Sequence, residues 1–372
     1  MIRVLQILPW GLKIGGVEAT LMSYYRAINR TKVQFDFVVP IENKKGEQQI
    51  FEAEAVSLGA RIYRHPTSMK YPLRSAIALF RLLRKHKEYK IIHVYARHTV
   101  FPALDAFAAK LSGVRIRMVY SSGTNTEHPV LFEIFRPMVK LLATHWLAGS
   151  TEAGDFMFGK KARERLIISA RARDLEAFRY NPTRRGEVRD KLDLNNAYVI
   201  IHVGRMDSNK NHGLIIEAFS RALTDDKEMI LMLVGEGELL SELNEKVNRL
   251  QIGDNVRFMG RRDDVADLMQ AADLMVLPSL REGLPGVAIE AQAAGLPCLL
   301  ADTITAQAKV TDLVEFLPID KGIDIWAKRL LFYRGFKRRD TSSELKQSGY
   351  DIHDAAKTLE NFYHEALNEA YG

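Results

Sequence analysis

Glu282 and Glu290 stand on either side of a glycine- and proline-rich turn, Gly283-Leu284-Pro285-Gly286. The turn begins where an apolar run, Leu274–Leu277, ends, and it opens a helix near Gly286–Val287 that Gly295 and Pro297 close. Backbone N–H groups at such a helix start, with the helix dipole behind them, form an anion site. A carboxylate accepts two hydrogen bonds and so suits a vicinal diol. Two acids flanking anion-binding amides therefore fit a sugar nucleotide, although a solvated loop acid and an ordinary helix acid fit the same letters. A second group, Gly204, Arg205 and Lys210, lies in Val203-Gly204-Arg205-Met206-Asp207-Ser208-Asn209-Lys210-Asn211-His212, at the end of the run Tyr198–Val203. Two cations there nearly neutralise a diphosphate and stabilise it as it departs. The same loop also reads as plain solvated charge. Gly15 and Gly16 form a third glycine turn, whose amides could meet a phosphate. That turn lacks the three spaced glycines and later acid of a dinucleotide site, so a nicotinamide enzyme is weakly supported. Gly235-Glu236-Gly237 is a fourth turn, expected near a nucleotide base.

Strands and helices must hold these turns. Short apolar runs at Ile2–Leu8, Val33–Val39, Lys90–Tyr95, Arg115–Ser121 and His145–Ala148 alternate with helical periodicity at Val17–Ile28, Leu73–Lys85, Phe101–Leu111 and Leu131–Leu142. The rhythm restarts after Tyr180–Gly186, with strand candidates at Tyr198–Val203, Ile230–Val234, Val256–Met259, Leu274–Leu277 and Cys298–Ala301. Continuous apolar strands alternating with helices predict parallel sheets covered on both faces. The expectation is an α/β protein of two doubly wound, Rossmann-like domains, residues 1–180 and 181–351, facing each other across a cleft. The amphipathic segment Ile352–Tyr371 is expected to pack back on the first. Ligands in such folds bind at the carboxyl ends of strands.

The combination of "EGLPGVAIEAQAAGLP", "VGRMDSNKNH" and "GGVEATLMSYY", in that spacing and order, resembles glycosyltransferase family 4, in its bacterial capsule, exopolysaccharide and lipopolysaccharide branch. The resemblance implies a GT-B fold and retaining, metal-independent transfer from a nucleotide-diphosphate sugar, a UDP-sugar favoured, to a glycan or lipid-linked acceptor, with no cofactor. It places Glu282 on the donor sugar, Glu290 on the ribose, and Arg205 and Lys210 on the diphosphate beside the Gly283-Leu284-Pro285 backbone. Gly15 and Gly16 would approach the phosphate from the other domain. The chain also has no Asp-x-Asp triplet, the usual manganese-binding signature of sugar transferases. Two departures stand out. Tyr120-Ser121-Ser122-Gly123 lacks a histidine that relatives often carry, leaving His93 and His98 as the nearest replacements, His98 in a loop and His93 within a strand. Ile168–Asp174, rich in arginine, replaces a typical Pro-Asn-Gly-Ile-Asp turn. A non-catalytic sugar-nucleotide or glycan-binding module is the alternative those departures leave open.

Composition sets the outer bounds. The chain has 372 residues, 47% of them hydrophobic, so a disordered or fibrous protein is excluded. One cysteine, Cys298, precludes an internal disulfide and fits a reducing cytoplasm. The N-terminus reads as a first strand and not as a signal peptide. The formal charge of +7 calls for an anionic partner. Nine Lys/Arg and one acid, Glu88, fall between Arg61 and Lys90. There Leu73, Ile77, Phe80 and Leu83 share a helical face beside Arg74, Arg81 and Lys85, with Met69 and Tyr71 just ahead. That pattern fits a peripheral contact with an anionic membrane, or a plain core-facing helix with a solvated rim. No nucleic-acid-binding pattern is present.

Overall fold

The computed structural model describes residues 1–13, 15–41, 50–67, 70–96, 98–126, 128–169, 172–194 and 196–372. Met69, named above, lies outside them, as do residues 170 and 171 of the Ile168–Asp174 segment.

Two compact units result, Met1–Ala172 with Ile352–Gly372, and Arg173–Asp351. Among the described residues the first holds seven parallel strands: β1 (Ile2–Ile7), β2 (Val33–Pro40), β3 (Ile62–His65), β4 (Ile91–Ala96), β5 (Ile116–Ser121), β6 (His145–Ala148) and β7 (Leu166–Ile168). Their order is β3-β2-β1-β4-β5-β6-β7. The helices Gly16–Ala27 and Ile352–Tyr371 share one hydrophobic cluster with the sheet. Pro72–Lys85, Val100–Leu111, Pro129–Leu142 and Thr151–Phe158 share another. The C-terminal helix is anchored by Ala356, Tyr363 and Ala366 in the core, and its Tyr363 hydroxyl lies 3.1 Å from His93 Nδ1.

The second unit holds β8 (Tyr198–Val203), β9 (Met229–Val234), β10 (Val256–Gly260), β11 (Leu274–Leu277), β12 (Cys298–Ala301) and β13 (Val314–Leu317), again all parallel. Their order is β10-β9-β8-β11-β12-β13. The direction of winding therefore reverses between β8 and β11, and in the first unit between β1 and β4. A reversal opens a crevice at the carboxyl ends of the two strands.

β3, β7 and β13 have no counterpart among the expected strands, and all three are sheet edges or end strands. Such strands are paired on one side only, so Ile62-Tyr63-Arg64-His65 and Val314-Glu315-Phe316-Leu317 carry polar residues that mask the pattern. The junction also differs from expectation. The chain passes between the units at Ala172–Arg173, and Tyr180–Gly186 belongs wholly to the second. Asn181 and Pro182 there start a helix, Pro182–Lys191, in which Asn181 Oδ1 accepts from the Thr183 and Arg184 amides, both at 3.0 Å. Its arginines dock it: Arg185 donates to Asp273 at 2.5 Å and to the Ala272 carbonyl at 2.7 Å. An Asn-Pro pair breaks a preceding element and begins the next, and only the first effect was visible in the letters.

Candidate active site

At the β8/β11 reversal the two strand-end loops are stitched together. The Leu280 amide donates to the Asn209 carbonyl at 2.8 Å, and Asn209 Nδ2 donates to the Arg281 carbonyl at 2.9 Å. Thr303, beyond β12, donates to the Ser279 carbonyl at 2.7 Å. This seam brings Lys210 and Glu282, 72 positions apart, into a direct ion pair with both side chains mostly buried. Asp207 Oδ1 accepts from the Lys210 amide at 3.1 Å and fixes the turn that aims the ammonium. Beneath the loop His202 and His212 meet edge to face at 4.4 Å, and His202 Nδ1 lies 2.9 Å from the Val276 carbonyl. Burial lowers both pKa values, that of His212 to about 4, so the layer under Lys210 is neutral at pH 7.

The helix Gly286–Ala293 begins at Pro285 and ends in a Schellman turn. Leu296 N donates to the Ala291 carbonyl at 3.0 Å, and Gly295, at φ +65°, donates to that of Gln292 at 2.9 Å. Leu284 faces the core at 3% exposure, so that position offers a ligand its backbone and not its side chain. Glu290 is held by Arg173, whose Nε donates to Oε1 at 2.6 Å. The same guanidinium lies over Gly286, where any side chain would overlap it. Arg173 is 8% exposed. Sequence reasoning marked its segment as a departure from a typical turn and gave Arg173 no role in the site. The missed signal was an arginine in place of an apolar residue, because a buried guanidinium requires an acid partner.

Arg205 is exposed, with Glu238 at 3.7 Å. Gly235 and Gly237 have a packing reason to be glycine. Side chains there would run into the Gly204 carbonyl and the Met206 backbone, where the loops after β8 and β9 lie backbone to backbone. Gly283 faces open space.

In the first unit Gly15 precedes the helix Gly16–Ala27, and the buried Glu18 carboxylate folds over it, so a side chain on Gly15 would collide with that acid. His98 follows β4 and meets the Phe101 ring at 5.8 Å, edge to face. His93 is fully buried in β4 and stacks on Tyr95 at 4.8 Å. With Tyr24, Tyr95, Tyr120 and Ser169 it lines a cavity of about 20 Å³, room for one water. Among the described residues no group of three His, Cys, Asp or Glu side chains is placed to hold a metal ion.

Two doubly wound units, the second with an acid–ammonium pair and an arginine-clamped acid around one helix start, are the build of a GT-B transferase. Solved structures agree on the fold. Anabaena Alr3699/HepE, in complex with UDP and glucose, matches with a TM-score of 0.75 at 17% identity, covering 98% of this chain and 100% of that one. The lipopolysaccharide outer core galactosyltransferase WaaB matches with a TM-score of 0.68 at 16% identity, over 98% of this chain and 100% of that one. The profile of the family "Glycosyl transferases group 1" matches residues 184–319. Over 382 aligned positions the chain is 31% identical to a Bacillus subtilis (strain 168) protein named as the glycosyltransferase EpsF, covering 97% of this chain and 96% of that protein. It is 28% identical, over 62% of each chain, to an Escherichia coli UDP-Gal:alpha-D-GlcNAc-diphosphoundecaprenol alpha-1,3-galactosyltransferase. The chain belongs to the group 1 glycosyltransferases, and it is an enzyme of that class.

Proposed function

We propose that this enzyme transfers a sugar from a nucleotide-diphosphate sugar, UDP-linked by preference, to a glycan or lipid-linked acceptor in bacterial surface polysaccharide synthesis. Transfer proceeds with retention and without a metal ion or other cofactor, at the inner face of the cell membrane. The observation that carries this reading is the Lys210–Glu282 pair at the start of the helix Gly286–Ala293. Without donor each charge neutralises the other. With donor, Lys210 moves its interaction to the diphosphate and Glu282 turns to the sugar hydroxyls, so both are used once the substrate is in place. Arg205, exposed and only loosely engaged with Glu238, is able to swing onto the same diphosphate.

In the step itself the bond between the anomeric carbon and the diphosphate oxygen breaks, and the acceptor oxygen bonds to that carbon from the same face. The acceptor proton passes to the departing phosphate, which spares the protein a strong base. Lys210, Arg205 and the amides at Gly286 meet the charge that grows on the leaving group. The names of relatives support the substrate class: one carries UDP-Gal and diphosphoundecaprenol in its name, and HepE was solved with UDP and glucose.

Thermal shift tests the donor. A ligand at a hundred times its Kd stabilises by about 2.7 kcal/mol, roughly 5–10 °C for a unit of this size. The expected result is such a shift with a UDP-sugar, unchanged by EDTA. No shift with UDP, GDP, ADP or CDP sugars overturns the donor reading, and a shift abolished by EDTA overturns metal independence.

Arg173 supplies a second test. With Glu290 on the ribose, the 2.6 Å contact holds that acid in its binding posture. Ribose contacts act equally before and during the reaction, so Arg173→Met should raise donor KM about tenfold with kcat nearly unchanged, the effect of one charge-assisted hydrogen bond. Arg173→Lys should restore part of it. Initial-rate kinetics across donor concentrations read both numbers.

A further inference from the structure

The helix Pro129–Leu142 is apolar on two sides. Phe132, Val139 and Leu142 face the core, as expected for a helix lying on a sheet. The flank beside that core face is apolar as well: Val130 is 72% exposed, Ile134 59%, Met138 38% and Leu141 79%, with Leu131 beside them at 47%. Positions 130, 134, 138 and 141 fall on one stripe, which runs about 16 Å at 1.5 Å per residue. Scattered exposed leucines need no explanation, but an unbroken stripe along a whole helix does.

The surroundings continue the pattern. Val100–Leu111 packs between Pro72–Lys85 and Pro129–Leu142. It exposes Phe107 and Leu111, and Pro72–Lys85 exposes Leu73 and Ile77. Here the expected apolar face Leu73/Ile77/Phe80/Leu83 divides: Leu83 turns into the core with Leu79, and Leu73 and Ile77 turn outward among Arg74, Arg81, Arg84 and Lys85. Lys110 and Lys140 are also exposed. Against these six cations the three helices expose one acid, Glu133, which Arg136 meets at 3.1 Å. Asp105, the other acid on them, is buried.

We propose that this three-helix face docks on an anionic lipid leaflet, with the Val130–Leu141 stripe set into the headgroup boundary and the cations around it on lipid phosphates. The charge pattern selects lipid over a second copy of the chain, because a two-fold contact would press two basic surfaces together. No described helix is long and apolar enough to cross a membrane, so the contact is one of lying on the surface. The inference rests on the lipid-linked reading of the acceptor: a face seated on the leaflet brings the enzyme to a substrate confined there.

The test is co-sedimentation of the full chain with vesicles of phosphatidylcholine and phosphatidylglycerol, 3:1, against phosphatidylcholine alone, with neither donor nor acceptor present. Binding should require the anionic lipid and weaken at least tenfold at 0.5 M salt. The triple variant Val130→Ser/Ile134→Ser/Leu141→Ser should bind at least tenfold more weakly, and Arg81→Gln/Arg84→Gln/Lys85→Gln should show a similar loss. All six positions are exposed, so unchanged melting temperatures should confirm that both variants fold. Hydrolysis or transfer of donor sugar in detergent-free buffer should match wild type, which separates a failure of docking from a failure of the transferase reading. Absence of wild-type binding at low salt overturns the proposal. So does equal binding by the serine variant, or a wild-type dimer that the serine variant converts to a monomer.

Discussion

Glu282→Ala lowers transfer turnover by about 10²- to 10³-fold, the usual loss when one contact that strengthens in the transition state is removed. Two effects combine. The donor sugar loses its hydroxyl acceptor, and Lys210 loses the partner that holds its ammonium beside the diphosphate position. Lys210→Met should cost a similar amount, because the departing diphosphate then keeps its charge. The two losses should not add. Lys210 and Glu282 are in direct contact, so the double variant should fall close to the worse single one, and the difference is their coupling. Glu282→Gln is informative because an amide still bonds a hydroxyl but cannot pair with an ammonium. It should lie between wild type and Glu282→Ala. Single-turnover rates with saturating donor measure all four proteins. A Glu282→Ala enzyme within threefold of wild type would remove this pair from the chemistry.

The folded protein loses stability as pH falls from about 6.5 toward 4, before most carboxylates titrate. Burial lowers His65 to about 4, His93 to about 3 and His212 to about 4, and lowers His202 well below its usual value. Between those values and 6.5 the unfolded chain takes up protons that the folded chain refuses, so each histidine favours unfolding by about 1.4 kcal/mol per pH unit in that window. Asp105 acts in the opposite sense. Burial raises its carboxyl to about 7, so from pH 4 to 7 the folded state holds a proton that the unfolded state has released, and stability from this group falls as pH rises. These four histidines against one aspartate leave about 4 kcal/mol per pH unit at the steepest point, and His145, which burial also lowers, acts in the same direction. The first unit contains His65, His93 and His145, with Asp105 offsetting part of their effect, and the second contains His202 and His212. Urea midpoints from pH 7.5 to 4.5 should therefore drop sharply below 6.5. Asp105→Asn should raise the midpoint at pH 8 and leave it nearly unchanged at pH 4.5. A flat midpoint from pH 7.5 to 5 contradicts the argument.

Most of the interior was legible. The central strands of both sheets are apolar on both faces, so Tyr198–Val203, Leu274–Leu277 and Cys298–Ala301 stand out within a residue of their observed ends. The end strands β3 and β13 share their side chains with solvent and lost that signal, whereas β10, also an end strand, kept it. The helix start at Gly286 and its stop at Gly295 were also legible, because glycine and proline constrain the backbone locally. Gly235 and Gly237 were singled out for a nucleotide base, whereas the demand for glycine that the fold shows there comes from a neighbouring loop's backbone.

The sequence by itself determined the two doubly wound series, the turn chemistry at their strand ends and the acids and cations that belong there, because each follows from short-range periodicity and local backbone preference. Tertiary structure decided which of those groups meet. Lys210 reaches Glu282 because the winding reverses between β8 and β11, and Arg173 reaches Glu290 because the chain enters the second unit under that helix start. Tertiary structure also decided which side of Pro129–Leu142 faces outward. Glu133, Arg136 and Lys140 mark the polar side of this helix in the sequence, but its apolar arc is wider than one buried face needs, and only packing against the sheet separates Phe132, Val139 and Leu142 from the exposed stripe.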